Sequence, residues 1–416
     1  MSRRIAVVPP AVSSPVPPTL PTVSPGAGEA QLKRILTFWP LVLYGMGVII
    51  GAGIYVSLDA VIDRAGAAAP ISFIMAGIAA GFTGLCYAEL AARYPQAAGA
   101  AAYVREGFAS DRMGILVGVA TTFAVAIAAA AIAHGAAGYL VHFVPVRPAL
   151  LATIVILAFT GVAIAGVAAS VGFAALMGLA EVIGLLAAIV VGLTASTQLQ
   201  DPGIWPTSIA AWRGTAAGAF IAFFAFIGFE TLANMAEETR NPRTTVPLSI
   251  LAAIFASTVL YVGVALAVVL TGPDAANPLL GLFSGRRATL FAAIAVAGVS
   301  NGVLVEIVML SRLFYGMATK GLLPRRLAIV DRRLHTPVAA TLCASAVIVA
   351  AALLLPFERL LVIANAATLG IFLMVDISLA LVRRREPAAP SFAAPKWAPY
   401  LAALLSAALL LVEALS

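Results

Sequence analysis

The sequence predicts an all-α polytopic membrane protein with about eleven transmembrane helices. Of its 416 residues 62% are hydrophobic and only 10% are charged, and its mean hydropathy is +1.05. Soluble domains are about half apolar and about a quarter charged, so that class is excluded. The apolar residues also lie in segments of about 20, the length that crosses a bilayer as a helix. We therefore interpret the apolar part of the chain as one domain.

Short polar loops separate eleven apolar segments, numbered here as spans 1 to 11. They cover residues 38–61, 70–92, 114–141, 150–168, 171–194, 214–235, 247–271, 288–317, 337–355, 360–382 and 397–415. Residues 1–34 are rich in proline and serine and carry too little apolar surface to form a core, which predicts a disordered cytosolic tail. The transmembrane domain is expected to take up residues 35–416.

Basic residues set the expected orientation in the membrane. With the N-terminus inside, 19 of the 25 lysines and arginines fall on the cytoplasmic side, as the positive-inside rule requires. The net charge of +7 is thus explained by topology, and no nucleic-acid partner is expected. The predicted location is the cytoplasmic (plasma) membrane, with a cytoplasmic N-terminus. Cys86 and Cys343 both lie in apolar segments and are interpreted as packing residues.

Span 1 contains an unusual glycine cluster, GMGVIIGAGIY, from Gly45 to Tyr55. Each glycine weakens a helix by about 1 kcal/mol relative to alanine, so the pattern predicts a break near the middle of the membrane. A break in lipid is tolerated where its free N–H and C=O groups face a protein-lined cavity. Span 6 carries a second interruption, where Gly228 and the charged Glu230 lie in an apolar run.

The two interruptions lie five spans apart, so the two interrupted helices cross the membrane in opposite directions. If spans 1–5 (38–194) and spans 6–10 (214–382) are copies of one unit, they form an inverted repeat that begins each time with a broken helix. Span 11 (397–415) is then an extra helix. Paired breaks of this kind indicate a transporter with its binding site near the bilayer midplane.

Over most of its length, the chain resembles permeases of the amino acid–polyamine–organocation (APC) superfamily, and four stretches carry this resemblance. They are GMGVIIGAGIY, YAELAARYPQAAGAAAYVREGF, FFAFIGFETLANMAEETRNPRTTVPLSI and MLSRLFYGMATKGLLPRRLAIVDRRLHTP. The resemblance implies the 5+5 inverted-repeat fold of the sodium-coupled leucine transporter type. It also implies an amino acid or related amine as substrate, moved by alternating access.

The resemblance further implies a substrate site at the two breaks. The substrate carboxylate is expected on the N–H groups of Gly51, Ala52 and Gly53, and exposed N–H groups at a helix N-terminus do favour anions. The residues expected to offer carbonyls to the amino group are Ile49, Ile50, Phe223, Ala225 and Phe226. Phe224 takes the position of an aromatic side chain that covers the substrate, and Ile227 that of a side chain lining the pocket.

Carboxylates within apolar spans are costly and are functional candidates by default. The resemblance places Glu181 where some proton-coupled relatives carry a lysine, so a proton-coupling role of reversed charge and a buried structural hydrogen bond are both open. Glu230 either gates or stabilises the break, or caps the second half of span 6. Glu89 is expected to pair with Arg93, four residues on. The other two carboxylates, Glu306 and Asp376, are expected to make structural pairs. His134 is expected to make a structural hydrogen bond, with a proton shuttle as the alternative.

The loop after span 6 mixes charges of both signs. The resemblance implies an inner gate in which Glu237, Glu238, Arg240 and Arg243 exchange ion pairs, whereas the simple alternative is a solvated loop. Exposed pairs contribute only about 0–1 kcal/mol each, which suits a gate that opens.

Taken together, the sequence predicts a secondary active transporter, a permease that moves an amino acid with proton coupling. The alternatives are an amino acid or amine exchanger, a polyamine carrier, or, from another class, a non-transporting membrane sensor or an intramembrane enzyme. HExxH, CxxC and P-loop motifs do not occur in the sequence, so an enzyme, a metal and a cofactor are not expected. The expected partners are the substrate, protons and the lipid bilayer.

Overall fold

Fourteen α-helices make up most of the described chain. The computed structural model describes residues 36–50, 53–95, 99–165, 167–195, 203–272, 278–319, 321–331, 333–334 and 336–415, without the side chains of 167–176 and 237. The α-helices are α1 Phe38–Ile50, α2 Gly53–Ala65, α3 Ala69–Arg93, α4 Gly99–Phe108, α5 Asp111–Leu140, α6 Pro148–Ala165, α7 Val167–Ala195, α8 Ile209–Phe223, α9 Pro242–Thr271, α10 Pro278–Gly281, α11 Gly285–Thr319, α12 Val338–Leu354, α13 Phe357–Arg385 and α14 Ala398–Ala414. Short 3-10 helices cover Gly66–Ala68, Phe224–Phe226, Phe229–Glu238 and Arg325–Ala328.

Every predicted span overlaps a helix or an interrupted pair of helices, which confirms the all-α polytopic fold class. Eight helical segments of the described chain are long and apolar enough to cross a membrane, and α1, α12 and α14 are shorter apolar helices. Large apolar side chains such as Phe255, Leu290 and Leu404 are exposed on the outside of the bundle, as expected for a surface that faces lipid.

Both predicted interruptions fall where the helices end. In span 1, α1 ends at Ile50 and α2 begins at Gly53. In span 6, α8 ends at Phe223, and the backbone then passes through a 3-10 turn before it reaches Gly228 at φ 120°. That φ value is left-handed and favours glycine. The second half of span 6 is a 3-10 helix rather than an α-helix, because i+3 bonds begin at once, from Thr231 N–H to the Gly228 carbonyl (3.1 Å).

Helix contacts repeat with an offset of five spans. The contact of α1 with α9 has its counterpart in α8 with α3, and that of α5 with α6 in α11 with α12. Likewise α5–α12 corresponds to α11–α6, α7–α11 to α13–α5, and α7–α9 to α13–α3. This pattern supports two five-span units, each beginning with an interrupted helix, although the two halves share no visible sequence similarity.

Two helices lie outside the predicted spans, the four-residue α10 and the longer α4. The ten residues of α4 follow span 2, and α4 packs against α5 and α13. Sequence reasoning placed this stretch in a loop because it is too short and too polar to cross the membrane. Its tyrosine, Tyr103, is nonetheless fully buried.

Candidate functional site at the helix breaks

A single tyrosine joins the two breaks. The Tyr261 hydroxyl on α9 lies 2.9 Å from the Ile49 carbonyl in the first break and 2.9 Å from the Ala225 carbonyl in the second. All three residues are buried. One hydroxyl proton serves both acceptors, so at any moment one of the two carbonyls lacks a full hydrogen bond. The breaks are therefore held together by a polar contact that can be exchanged for another donor.

The breaks also touch directly at Gly53. A Cβ placed on Gly53 would lie 2.5 Å from the Ala225 carbonyl oxygen, 2.8 Å from the Ala225 Cα and 2.8 Å from the Tyr261 hydroxyl. Any side chain at this position would push the breaks apart. The absence of a side chain thus has a packing reason in addition to the expected approach of a substrate carboxylate.

The other predicted substrate residues surround this contact. Ile49 and Ile50 form the buried end of α1. The buried residues at the end of α8 and in the following 3-10 turn are Phe223, Phe224 and Phe226. Ile227 is half-buried and leaves the turn with an extended backbone, at φ −58° and ψ 135°. Gly51 and Ala52 lie outside the described residues, so their place in the carboxylate site stays a prediction.

Two earlier glycines of the cluster pack against neighbouring elements. A Cβ on Gly45 would meet the Leu232 side chain at 2.8 Å, and Gly47 faces Gly178 on α7. Both positions thus allow α1 to approach its neighbours closely.

Glu230 stabilises the second break from within. Its Oε2 accepts the N–H of Gly228 at 2.8 Å, and the Thr231 hydroxyl donates to the Gly228 carbonyl at 2.6 Å. A charged acceptor strengthens such a hydrogen bond, and the bond ties the backbone groups that flank the left-handed glycine. Because Gly228 directly precedes the 3-10 helix Phe229–Glu238, this geometry agrees with both the break-stabilising and the capping role expected for Glu230, whereas a gating role stays a prediction.

Glu181 is a fully buried carboxylate beside the breaks. Neither of its oxygens has a hydrogen-bond partner among the residues that the structure describes, so the expected alternative of a structural hydrogen bond is not found. The side chain packs against Gly298 on α11, where a Cβ would lie 2.7 Å from the Glu181 Cδ. The carboxylate is close enough to the Tyr261 hydroxyl for the two groups to interact electrostatically. An unpaired carboxylate in such a place costs several kcal/mol unless it binds a proton or a cation.

Glu306 and Asp376 each have one carboxylate oxygen without a described hydrogen-bond partner, Oε2 and Oδ1 respectively. Asp376 Oδ2 accepts from the hydroxyls of Thr83 and Ser406, each at 3.2 Å, so it links α13 to α3 and α14 as a structural residue. Glu306 Oε2 has no partner in the described chain, and the carboxylate within its Coulombic range is Glu230. The expected structural pairing of Glu306 is therefore not observed at this oxygen, because like charges cannot pair without a proton between them.

A buried ion cluster joins α3 and α13 at their predicted cytoplasmic ends. Arg93 donates to Glu89 Oε1 at 2.8 Å, as expected from their spacing. Arg383 on α13 also donates to both Glu89 oxygens, and the Ala394 N–H donates to Oε2 at 2.8 Å. Arg383 lies 294 positions from Glu89 in the chain, so local sequence rules could not predict this contact.

The predicted inner gate is only partly described. The Glu237 side chain lies outside the described set, so its pairing with Arg240 stays a prediction. The backbone is defined: Leu36 N–H donates to the Glu238 carbonyl at 3.0 Å, and Arg240 N–H donates to the Leu36 carbonyl at 2.8 Å. This bridge ties the segment before α1 to the end of span 6.

Tyr261 is the main site residue that sequence reasoning missed. A tyrosine inside an apolar span carries a hydroxyl that must find a partner when buried, and this rule offered a signal. It could not say which helix supplies the partner.

Comparison with known proteins agrees with this geometry. The family model described as "Amino acid permease" matches residues 36–415. The chain is 30% identical over 394 residues to "Cationic amino acid transporter 3, mitochondrial" of Arabidopsis thaliana, covering 86% of this chain and 63% of that protein. It is 29% identical over 401 residues to the "Methylthioribose transporter" of Bacillus subtilis (strain 168), covering 88% and 85%. It is 27% identical over 396 residues to the "Branched-chain amino acid permease BcaP" of the same organism, covering 88% and 84%.

The chain spans about three fifths of the length of the plant relatives that it matches. The family model, in contrast, extends across both breaks, both five-span units and α14. On this evidence the chain belongs to the amino acid permease family.

Proposed function

We propose that this protein is a secondary active transporter that carries an amino acid across the membrane by alternating access. The observation that carries the proposal is the meeting of two interrupted helices at Gly53 and Ala225, inside a bundle of paired five-span units. Exposed backbone groups at mid-membrane serve to bind a polar solute. We place the protein in the plasma membrane, and the charge bias supports a cytoplasmic N-terminus.

The two ends of an amino acid match the two kinds of backbone group at the breaks. The N-terminus of α2 at Gly53 offers N–H groups and a positive partial charge to a carboxylate. The ends of α1 and α8 offer carbonyls, among them those of Ile49 and Ala225, to an ammonium group. Two relatives are named for cationic and for branched-chain amino acids, which share the main-chain end and differ in the side chain; the third is named for methylthioribose, which has neither a carboxylate nor an ammonium group. The amino acid names support the main-chain end of the substrate and leave its side chain open.

Tyr261 stands in for the ammonium group when the site is empty. Its hydroxyl is a donor to Ile49 and Ala225, two of the carbonyls assigned to the substrate. An ammonium group carries three N–H donors and satisfies both carbonyls at once. Substrate binding thus exchanges one shared hydrogen bond for two full bonds and loosens the link between α9 and the breaks.

Glu181 is the proposed coupling residue. It is fully buried without a described hydrogen-bond partner and lies within Coulombic range of Tyr261. A proton on the carboxylate removes the cost of its burial beside the site, and in this proposal protonation favours substrate binding at the breaks. A coupling of this kind is reciprocal: substrate binding then favours protonation by the same factor.

Uptake into proteoliposomes tests both parts of the proposal. Wild-type protein should accumulate an amino acid when the pH gradient is directed inward. Glu181→Gln, which resembles the protonated residue, should keep exchange of internal for external substrate and lose accumulation driven by the gradient. Asp376→Asn is the matched control, because it changes another buried carboxylate, one whose Oδ2 accepts hydrogen bonds from two hydroxyls; it should keep gradient-driven accumulation.

Each outcome has a distinct meaning. Gradient-driven accumulation by Glu181→Gln at the wild-type level would overturn the coupling role. Uptake that depends on internal amino acid and ignores the gradient would identify an exchanger. If wild-type protein neither takes up nor is thermally stabilised by any amino acid, the transport function itself is wrong, since ligands that bind the folded state raise its apparent stability.

A further inference from the structure

A cavity lies on the predicted outer side of the protein, beyond the helix breaks. It has a volume of about 260 Å³ and is bordered by α2, α5, α10 and the start of α13. Tyr55 forms part of its lining, and the Tyr55 hydroxyl donates a hydrogen bond to the backbone carbonyl of Glu181 (3.0 Å). The backbone carbonyl of Tyr55 accepts a hydrogen bond from the Tyr139 hydroxyl (3.1 Å). Tyr55 therefore separates this cavity from the buried Glu181. At about 30 Å³ per water molecule, the volume holds roughly nine waters or one small amine.

The polar lining of the cavity offers acceptors. Asp59 contributes a carboxylate, and Asp63 and Glu358 lie within Coulombic range of it. His134 Nε2 lies 2.8 Å from the Ala352 carbonyl. Because a carbonyl only accepts, Nε2 carries the hydrogen, and Nδ1 of the neutral ring is left as an acceptor. This contact agrees with the hydrogen-bonding role expected for His134.

The remaining lining suits a cation. Three aromatic rings, those of Tyr55, Tyr139 and Phe357, border the cavity, and no lysine or arginine occurs among its described lining residues. Aromatic faces attract ammonium and guanidinium groups. A carboxylate, an imidazole acceptor and aromatic rings together select for an organic cation and against an anion.

We propose that this outer cavity is a binding site for an organic cation, a primary ammonium or a guanidinium group, which is occupied before the ligand reaches the breaks. Only its place on the route of the substrate rests on the proposed transport function. Asp59 supplies the charge, and Tyr55 forms the floor that must move for the ligand to pass.

Cysteine labelling tests the site without any need for transport. Gly138 lines the cavity, and a Cβ there would meet no atom within 4 Å, so Gly138→Cys fits. The background is Cys343→Ser, and Cys86 is buried. The probes are a cationic trimethylammonium-ethyl and an anionic sulfonatoethyl methanethiosulfonate. Pro148→Cys, at an exposed lining position, is a second reporter should the first variant fail to fold.

The cationic reagent should react faster than the anionic one, and Asp59→Asn should lower that ratio at least about fivefold. Asp63→Asn is the matched control: it removes the same charge from an exposed residue outside the lining and should change the ratio less than about twofold, since exposed charges are screened. Lysine should protect the cysteine, whereas norleucine, which lacks the second ammonium group, should not.

Three results would overturn the site: equal ratios in the Asp59 and Asp63 variants, equal protection by lysine and norleucine, or no labelling at either reporter position in folded protein. Protection by lysine without uptake of any amino acid would remove the proposed function and keep the cavity site. Uptake without protection would remove the cavity site alone.

Discussion

The contact of Tyr261 with both breaks makes a sharp prediction for Tyr261→Phe. This change removes one hydroxyl and keeps the ring, which packs against Phe226 and Phe73 at centroid distances of 5.3 and 5.8 Å. The hydroxyl is the shared donor for the carbonyls of Ile49 and Ala225. We expect the folded protein to lose stability and the breaks to separate more easily.

The size of the effect follows from burial. The two carbonyls share one proton, so the variant loses one hydrogen bond rather than two. A typical bond contributes about 0.5–1.5 kcal/mol net, and a buried acceptor left without a partner costs about 1–3 kcal/mol. Since Ile49 and Ala225 are buried, the upper part of this range applies in the absence of substrate. A loss of about 1–3 kcal/mol corresponds to about 5- to 150-fold in the equilibrium between joined and separated breaks.

The stabilisation produced by a bound ligand should increase in this variant, although the stability of the ligand-free protein falls. If the same carbonyls hold the substrate ammonium group, substrate no longer has to displace the hydroxyl in Tyr261→Phe. The melting temperature without ligand should fall, and the increase produced by a saturating amino acid should grow. Thermal unfolding of the purified protein, with and without ligand, measures both quantities in one experiment.

Tyr139→Phe is the matched control. The Tyr139 hydroxyl is buried and donates to the Tyr55 carbonyl at 3.1 Å, away from the breaks. This variant should lose similar stability and keep the wild-type response to ligand. If the two tyrosine variants respond alike to ligand, or if Tyr261→Phe melts at the wild-type temperature, the assignment of Tyr261 to the site is refuted.

Two further predictions concern packing and charge. Gly53→Ala should abolish ligand-induced stabilisation, because a methyl there would lie 2.5 Å from the carbonyl oxygen of the facing break; Gly47→Ala, whose nearest atom is 3.8 Å away, should keep it, and a full ligand response in the Gly53 variant would contradict the contact. Glu89→Ala leaves two partly buried arginines unpaired and should lower the free energy of unfolding by about 3–5 kcal/mol. Glu106→Ala removes an exposed pair and should cost no more than about 1 kcal/mol, so similar losses in denaturant unfolding would argue against the buried cluster.

The spans and both breaks could be predicted because their signals are local. Apolar length defines a span, and the glycines near Gly51 and Gly228 weaken the helix in place. Local rules also predicted the Glu89–Arg93 pair, whose members lie one helical turn apart. They could not predict that Arg383 joins this pair, or that α4 forms a buried helix, because both depend on packing between distant segments.

The sequence does not determine the rotation of each helix about its axis, and this rotation determines which side chains face the site. Glu181 was a candidate from its depth in the membrane and from the family resemblance. That it faces Gly298 and lacks a described partner depends on how α7 and α11 pack. Tyr261 lies in a span with no charged residue to mark its polar face. For such residues the sequence gives the functional group, and helix packing determines whether that group lies at the site.

Two features beside the breaks are an argument for function. Thr160 is typical of a satisfied polar side chain in a span: its hydroxyl donates within its own helix and contacts Ser345 on a neighbouring one. Next to the breaks, in contrast, one hydroxyl serves two carbonyls, and Glu181 has no described hydrogen-bond partner. A stable fold alone would favour removing such groups, since each costs about 1–3 kcal/mol when buried without a partner. Their presence where the backbone is already interrupted is what a site requires if its remaining bonds are to be supplied by a substrate and a proton.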